Sequence, residues 1–595
     1  MCGINGIYAW APRAPAIDVD ELRRTTESMS ARGPDASGRF VASDLRLGLG
    51  HRRLSIIDLS DSANQPMWDR TGRYCIVFNG EIFNYLELRR VLESKGERFS
   101  TQSDTEVLLT GFGLWGIDVV DRLRGMFAFA IWDTQRRRLT LSRDHLGIKP
   151  IYYQSLKGTF RFASQVRALL AGGGTSQTFD PVGLATFYLW GSVAEPNTIV
   201  SGIKQIPAAH VLEIGPDGVG DPERYWDAAS VYRTSVALSR PQARELTRTV
   251  IRDSVDSHLV SDVPVGLFLS SGIDSSVLLT HASELSSEPL HTVSLRFEEF
   301  HGAKHDESPL AESLARRFGT HHKTITVTRS DFDAARDTIM QSMDQPTIDG
   351  VNTFFVSHAG ARAGLKVALS GAGADEVFGG YPSFKNVPWL SNATRLFRML
   401  PKRWRVVWQP TNRRLAKAFV LLNEAEDRKS PYRAQRGLFM PWELSALMEP
   451  DAAEFALDQL AQHDPIEAPD EEPLAMTALL EQSVYLRNQL LRDTDWASMA
   501  HSLEVRVPFV DRTVYERLAS AALVEYRRNA TKRLLADSVG CALPAEVKSR
   551  PKTGFAVPLQ QWLSRDVPED RPLEHWSRSW ARIVASQFRS LLRPL

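Results

Sequence analysis

Residues 265–285 read VGLFLSSGIDSSVLLTHASEL. An apolar run long enough for a buried strand passes through serine and glycine directly into a helix-forming segment. Similar runs recur downstream as HTVSLRF (291–297), KTITVT (323–328) and LKVALS (365–370), with the helical PLAESLARRFG (309–319) among them. Strand–helix alternation of this kind predicts a parallel sheet covered on both faces. The turn itself has phosphate-binding chemistry. Gly272 lets the backbone come close to a ligand, and the helix start offers unpaired N–H groups and a positive dipole end. Ser270, Ser271, Ser275 and Ser276 add hydroxyls. Asp274 would repel a phosphate unless a cation intervened, which argues for Mg²⁺. The chain has no G-x-x-x-x-G-K-[ST], so this is not the Walker loop. The plainer reading is a serine-rich helix cap.

Upstream of about residue 239 the texture differs. YCIVFNGEIFNY (74–85), GMFAFAIWD (125–133) and LTLSRDHLG (139–147) read as short strands broken by turns, with Asn79-Gly80 as a hairpin signal. Helices are predicted at DVDELRRTTESMSA (18–31) and TEVLLTGFGLWG (105–116). EIGPDGVGDPERYW (213–226), rich in Gly, Pro and Asp, reads as a boundary. The expected division is 1–215, a linker over 216–238, and 239–595. Beyond Trp389 the pattern is mostly helical. SRSWARIVASQFRSLLRPL (577–595) suits an amphipathic helix that packs on the body or on a second copy in a homodimer.

A chain of 595 residues exceeds one hydrophobic core. Lys+Arg and Asp+Glu balance at 71 each, which speaks against nucleic-acid and membrane partners. No run approaches 18 apolar residues, so no spanning helix is expected. The three cysteines, Cys2, Cys75 and Cys541, are too few for a disulfide scaffold and point to a reducing cytoplasm.

The first ten residues, MCGINGIYAW, lack the basic and apolar regions of a signal peptide. Cys2 has another use. Once Met1 is trimmed, its thiol and a free α-amine share one residue. The thiol, with a reference pKa of about 8.5, then has a base beside it. A lone buried cysteine that merely packs is the plain alternative.

What surrounds Cys2 decides between these readings. MCGI (1–4), RGPD (32–35), HRRLSIID (51–58), NGEIFNY (79–85), SDTE (103–106) and RDHLGIKPIYY (143–153) together resemble the glutaminase domain of class II glutamine amidotransferases. The resemblance implies an αββα fold of the N-terminal-nucleophile type over roughly the first 200 residues. It implies that Cys2 attacks the glutamine amide, with Asn79 and the Gly80 N–H forming the oxyanion hole. Arg53 would pair with the glutamine α-carboxylate, and Glu81 and Asp104 with its α-ammonium.

VSDVPVGLFLSSGIDSS (260–276), LSGAGADEVFGGY (369–381), SMAHSLEVRVPFVD (498–511) and RPKTGF (550–555) are similar to the asparagine synthetase family, whose loop is usually S-G-G-[LI]-D-S-S. Ser271 replaces the first glycine of that loop. The resemblance implies a doubly wound, parallel-sheet ATP-pyrophosphatase domain that adenylates a carboxylate, with helical C-terminal additions. It places pyrophosphate on Leu269, Ser270, Ser271, Gly272, Asp274, Ser275 and Ser276, with Leu295, Ser370 and Gly371 in the nucleotide pocket. Mg²⁺ falls to Asp274 and Asp375, and charge stabilisation to Lys552.

One position departs from the family. Glutamate usually follows the Ser-Gly of the second signature, where it assists ammonia attack, and here Ala372 stands there. A methyl cannot take a proton. The expectation is a glutamine-dependent amidotransferase that uses ATP on a small-molecule carboxylate other than aspartate, with ammonia crossing an apolar passage between domains. Aspartate as acceptor, with water or Glu504 in place of the lost carboxylate, is one alternative. A cyclase with a vestigial first domain is another, and the intact Cys2, Asn79, Gly80 and Asp104 weigh against it.

Overall fold

Alternating apolar residues place two antiparallel sheets face to face in the first part of the chain. The computed structural model describes residues 2–233, 238–303, 306–398, 413–424, 426–466, 470–529, 532–550, 557–564 and 575–592. Its early strands are β1 (Gly3–Ala9), β2 (Ala36–Val41), β3 (Leu47–Arg53), β4 (Met67–Trp68), β5 (Tyr74–Ile82), β6 (Gly125–Asp133) and β7 (Arg138–Arg143). There follow β8 (Tyr152–Leu156), β9 (Thr159–Ala163), β10 (Lys204–Gln205), β11 (His210–Gly215), β12 (Gly218–Val219) and β13 (Glu223–Arg224). One sheet runs β10-β8-β9-β1-β3-β2. The other runs β12-β11-β7-β6-β5-β4, with β13 on β11.

Ile4, Tyr8 and Leu49 of the first sheet meet Val77, Ala130, Trp132 and Leu141 of the second in one apolar layer. Helices Val19–Ser28 and Val166–Gly172 cover the first sheet, and Tyr85–Ser94 and Asp104–Trp115 the second, which is the expected αββα order. Asp18 caps the first of these by accepting from the Asp20 N–H, and Ser103 caps Asp104–Trp115 by accepting from Glu106.

The hairpin expected at Asn79-Gly80 is absent. Both residues lie inside β5, opposite Ala128 and Phe127 of β6. Glycine is required there for closeness rather than for turning, because a Cβ at Gly80 would sit 2.1 Å from the Met126 carbonyl oxygen.

The second sheet system is parallel throughout. Strands β14 (Val265–Phe268), β15 (His291–Phe297), β16 (His321–Val327), β17 (Val367–Leu369) and β18 (Glu504–Arg506) lie in the order β16-β15-β14-β17-β18. The chain fills one side of β14 first and then returns to add β17 and β18 on the other. The loops after β14 and β17 therefore open side by side at a topological switch point, where open α/β sheets bind their ligands.

A helical excursion separates β17 from β18. Within it, Pro473–Leu480, the π-helical Glu481–Leu491 and Arg492–Met499 follow without a break. The last helix, Trp576–Leu591, buries Trp580, Val584 and Phe588 in the main core, so its apolar face is spent on the body. Among the described residues no helix is long and apolar enough to cross a membrane.

Buried ion pairs join the two halves. Arg32, 1% exposed, donates from both terminal nitrogens to Asp495 at 2.6 and 3.0 Å, and from Nε to the Cys2 carbonyl at 3.0 Å. Arg124 joins Asp511 and Asp253, each at 2.8 Å. Removing one partner of such a pair leaves a charge stranded, at a cost of about 3–5 kcal/mol. Asp495→Ala should therefore lower unfolding stability by about that amount in chemical denaturation. A loss well under 1 kcal/mol would contradict the assigned burial.

Candidate active sites

The register of β1 on β3 pairs Gly3 with Arg52, which brings Cys2 beside Arg53 at the edge of the two-sheet layer. The Cys2 backbone nitrogen donates to Asn79 Oδ1 at 2.9 Å. Asn79 Nδ2 is buried and has no partner, a donor pointing at nothing the protein supplies. Burial pushes the Cys2 thiol up, with Arg53 pulling weakly the other way, so ionisation needs a base. The Arg53 guanidinium is held by the Ser60 carbonyl at 2.7 Å, by Asn64 Oδ1 at 2.9 Å and by the Asp58 carbonyl.

Asp104 starts its helix, accepts the Ile82 N–H at 2.9 Å, and is raised by burial to about 6. Glu81, next to Gly80, is pushed well above the carboxylate range by burial and by the negative charge of Glu504. Two buried carboxyls with raised pKa values in one corner form a place short of a cation.

At the switch point the loop after β14 is tied together by serines. Ser270 Oγ lies 2.9 Å from Ser275 Oγ and accepts the Gly272 N–H at 3.1 Å, while Ser276 Oγ donates to the Gly272 carbonyl at 2.7 Å. Ser271 Oγ is buried without a partner. Asp274 lies in the first turn of helix Ile273–Leu285. Gly371 follows β17 and comes so near that a Cβ on it would be 2.9 Å from the Asp274 Cβ.

Asp274 and Asp375 converge on one ammonium, that of Lys532. Burial pulls this lysine down, but the two carboxylates more than offset that and raise it. Nothing in the sequence around Lys532 marks it, since a lysine at a helix start is common. Among the described residues no cluster of three or more His, Cys, Asp and Glu could hold a metal. The Asp274–Asp375 pair supplies the one or two carboxylates Mg²⁺ ordinarily takes alongside phosphate oxygens.

Leu295 sits two residues before the end of β15 with its side chain in the core. Ser370 Oγ accepts the Ala372 N–H at 3.4 Å. Lys552 lies outside the described residues.

Glu504 is not brought to Ala372. It opens β18 opposite Val367, whereas Ala372 lies beyond the other end of β17. Its carboxylate accepts from Arg506 Nε at 2.7 Å. Burial opposes its charge, but surrounding cations, Arg506 and Lys149 among them, hold it below the usual range. The same Arg506 reaches Glu81 at 3.5 Å, which places Glu504 on the glutaminase side. A small cavity of about 10 Å³ lies on the domain boundary, lined by Ile148, Pro150, Tyr152 and Trp496 as well as by the charged Arg143, Asp344 and Asp495.

Residues 1–226 match the glutamine amidotransferase domain family, and residues 246–579 match the asparagine synthase family. The chain is 32% identical over 574 residues to asparagine synthetase [glutamine-hydrolyzing] 1 of Bacillus subtilis (strain 168), covering 96% of this chain and 89% of that protein. It is 34% identical over 600 residues to a putative asparagine synthetase [glutamine-hydrolyzing] of Mycobacterium tuberculosis (strain ATCC 25618 / H37Rv), covering 95% and 88%. It is also 31% identical over 415 residues to amidase chry2 of Gibberella zeae, covering 65% and 60%.

A nucleophile-type two-sheet domain ahead of a parallel-sheet nucleotide domain defines a glutamine-dependent ligase. This chain belongs to the asparagine synthase family.

Replacing Lys532 by Met should remove the ammonium that Asp274 and Asp375 share and cost about 3 kcal/mol, the low end for breaking a buried pair. Magnesium chloride should return part of the lost thermal midpoint in the K532M variant and little in the native protein. Equal shifts in both would mean that the two carboxylates do not share a cation.

Proposed function

We propose that this enzyme releases ammonia from glutamine at Cys2 and uses it to amidate a carboxylate activated by ATP as an acyl-adenylate, the acceptor being an acid other than aspartate. The observation that carries the reading is the meeting of Asp274, Asp375 and Lys532 between the loops of β14 and β17. Open α/β sheets bind ligands at that point, and carboxylates that share a cation there suit a site for a metal and phosphates.

In the first half-reaction the Cys2 sulfur attacks the glutamine amide carbon, and the oxygen gains negative charge. Asn79 Nδ2, buried and unpartnered, and the Gly80 N–H receive that charge. Losing one such donor typically costs about 3–4 kcal/mol of transition-state stabilisation. Arg53 takes the α-carboxylate. Glu81 and Asp104 take the α-ammonium, whose arrival supplies the cation their raised pKa values call for. Ammonia leaves, and water releases glutamate from the thioester.

In the second half-reaction a carboxylate oxygen attacks the α-phosphorus of ATP and pyrophosphate departs. The Leu269–Ser276 loop binds that pyrophosphate, with the Ser271 hydroxyl available to it. Ser370, Gly371 and Leu295 line the nucleotide pocket. Lys532, with Lys552 as the family's lysine, balances phosphate charge. Magnesium on Asp274 and Asp375 supplies further neutralisation when bound. Ammonia then attacks the acyl carbon, a proton is lost, and AMP leaves an amide behind.

Two observations support an acceptor other than aspartate. Ala372 offers no polar atom to the attacking ammonia, and Glu504 is engaged by Arg506 at the far end of its strand. Three free thiols accord with a reducing cytoplasm.

Cys2→Ala should abolish glutamate release from glutamine, and retained turnover would refute the thioester route. Asp104, with its pKa near 6, must be ionised to hold an ammonium. Acidification protonates it, so kcat/KM for glutamine should fall about tenfold per pH unit below that value. Asp104→Asn should lower kcat/KM at every pH and make this limb less steep, the remainder belonging to Glu81.

A further inference from the structure

We propose that Arg506 is a positioning residue for the glutamine site: a guanidinium from the synthetase half keeps Glu81 ionised and leaves its oxygens to the substrate's α-ammonium. This rests on the glutaminase reading above. Arg506 closes β18 and is fully buried. Its Nε donates to Glu504 at 2.7 Å, and Nη1 donates to the His258 and Val260 carbonyls at 2.8 and 2.6 Å. All three partners belong to the second half of the chain. They fix the guanidinium and leave Nη2 over.

That nitrogen reaches across the boundary. It lies 3.5 Å from Glu81 Oε2, and both atoms are buried without a hydrogen-bond partner. Such orphans are uncommon in protein interiors. The spacing accounts for them. A hydrogen bond weakens beyond about 3.2 Å, whereas Coulomb attraction falls only as the inverse of distance. At this separation the arginine supplies charge to Glu81 without occupying its lone pairs.

Glu81 needs that charge. The strongest side-chain charges acting on it are Glu504, negative, Arg506, positive, and Asp104, negative. Burial and Glu504 push its carboxyl up, and Arg506 draws it back. A neutral acid cannot hold an ammonium by charge. A guanidinium stays charged in a protein, so it can act here at any working pH. This gives Glu504 a role as well, as the anchor of Arg506.

The main chain of the same residue serves the other centre. The Arg506 carbonyl accepts the Ser370 N–H at 2.8 Å, just past β17. A change of side chain leaves that bond in place, so experiment can separate the two contacts.

Glutaramate, which is glutamine without its α-amine, distinguishes this role from a merely structural one. It keeps the amide for Cys2 and the carboxylate for Arg53. On the full chain, KM for glutamine in ammonia release should rise about tenfold or more in Arg506→Gln, the scale of one charge-assisted hydrogen bond. The inhibition constant of glutaramate against that turnover should stay within about twofold of native, as for an independent site. R506K keeps the charge and loses the fork, so it should retain the native ratio of the two constants; it also decides the matter if R506Q fails to fold. In an E81Q background, R506Q should leave that ratio unchanged, because its route of action is gone.

Equal losses for glutamine and glutaramate in R506Q would overturn the positioning role. So would a lost preference for glutamine in R506K, or an undiminished effect of R506Q on E81Q. Glutamine left unprocessed by the native protein would instead remove the glutaminase reading, and this proposal with it.

Discussion

The guanidinium of Arg32 is the point on which the two halves depend. It is fully buried, and it makes two bonds across the boundary to Asp495 of the synthetase half and one within its own half to the carbonyl of Cys2. Burying an arginine and an aspartate together is favourable only when the geometry is two-pronged and the remaining donors are used. Both conditions hold here. The backbone of the nucleophile is thus fixed by a charge that the other domain neutralises, and neither domain can be drawn away without exposing the other's uncompensated ion. Arg124 and Arg506 repeat the device, and all three are arginines because a planar fork of five donors can serve a carboxylate and a carbonyl at once.

The two reaction centres manage charge in opposite ways. In the glutaminase corner Glu81 and Asp104 are buried without enough positive charge, so both titrate high, and on the proposed reading the missing cation comes with the substrate. At the switch point Asp274 and Asp375 share the ammonium of Lys532, so part of their charge is met before any ligand arrives. The first arrangement favours a zwitterion over an anion. The second lets phosphates and a metal replace an ion pair instead of entering bare carboxylates. Arg506 touches both systems, holding Glu504 charged beside Glu81.

Much of this was legible from residue patterns. The apolar runs before Ser270 and Ser370 became β14 and β17, and the helices read over 18–31 and 105–116 start at Val19 and Asp104. Asn79-Gly80 misled because a turn dipeptide says nothing about whether its two flanks pair with each other or with a third strand. Both flanks pair with β6, a non-local fact. Lys532 was invisible for the same reason: its meaning comes from two aspartates that lie far off in the chain. Glu504 was readable as an acid in a family signature, but which end of β18 carries it is a matter of topology.

The acceptor is the property least accessible to motif reading, and the architecture gives the reason. On the proposed reading the loops after β14 and β17 would face phosphates, a group common to adenylating enzymes, so their sequence is recognisable and uninformative about substrate. The wider cleft nearby draws Trp190 from the first half, Asp349 from the turn before a crossing helix, Tyr485 from the π-helical segment and Trp576 from the last helix. No short stretch contains more than a fragment of that wall. The wide turns of Glu481–Leu491 fit this picture, since π-helical geometry is most often kept where a ligand requires side chains that an α-helix would aim elsewhere. On the proposed reading, substrate choice would then rest on the packing of the helical excursion against the sheet, with Ala372 standing where the family's usual carboxylate is missing.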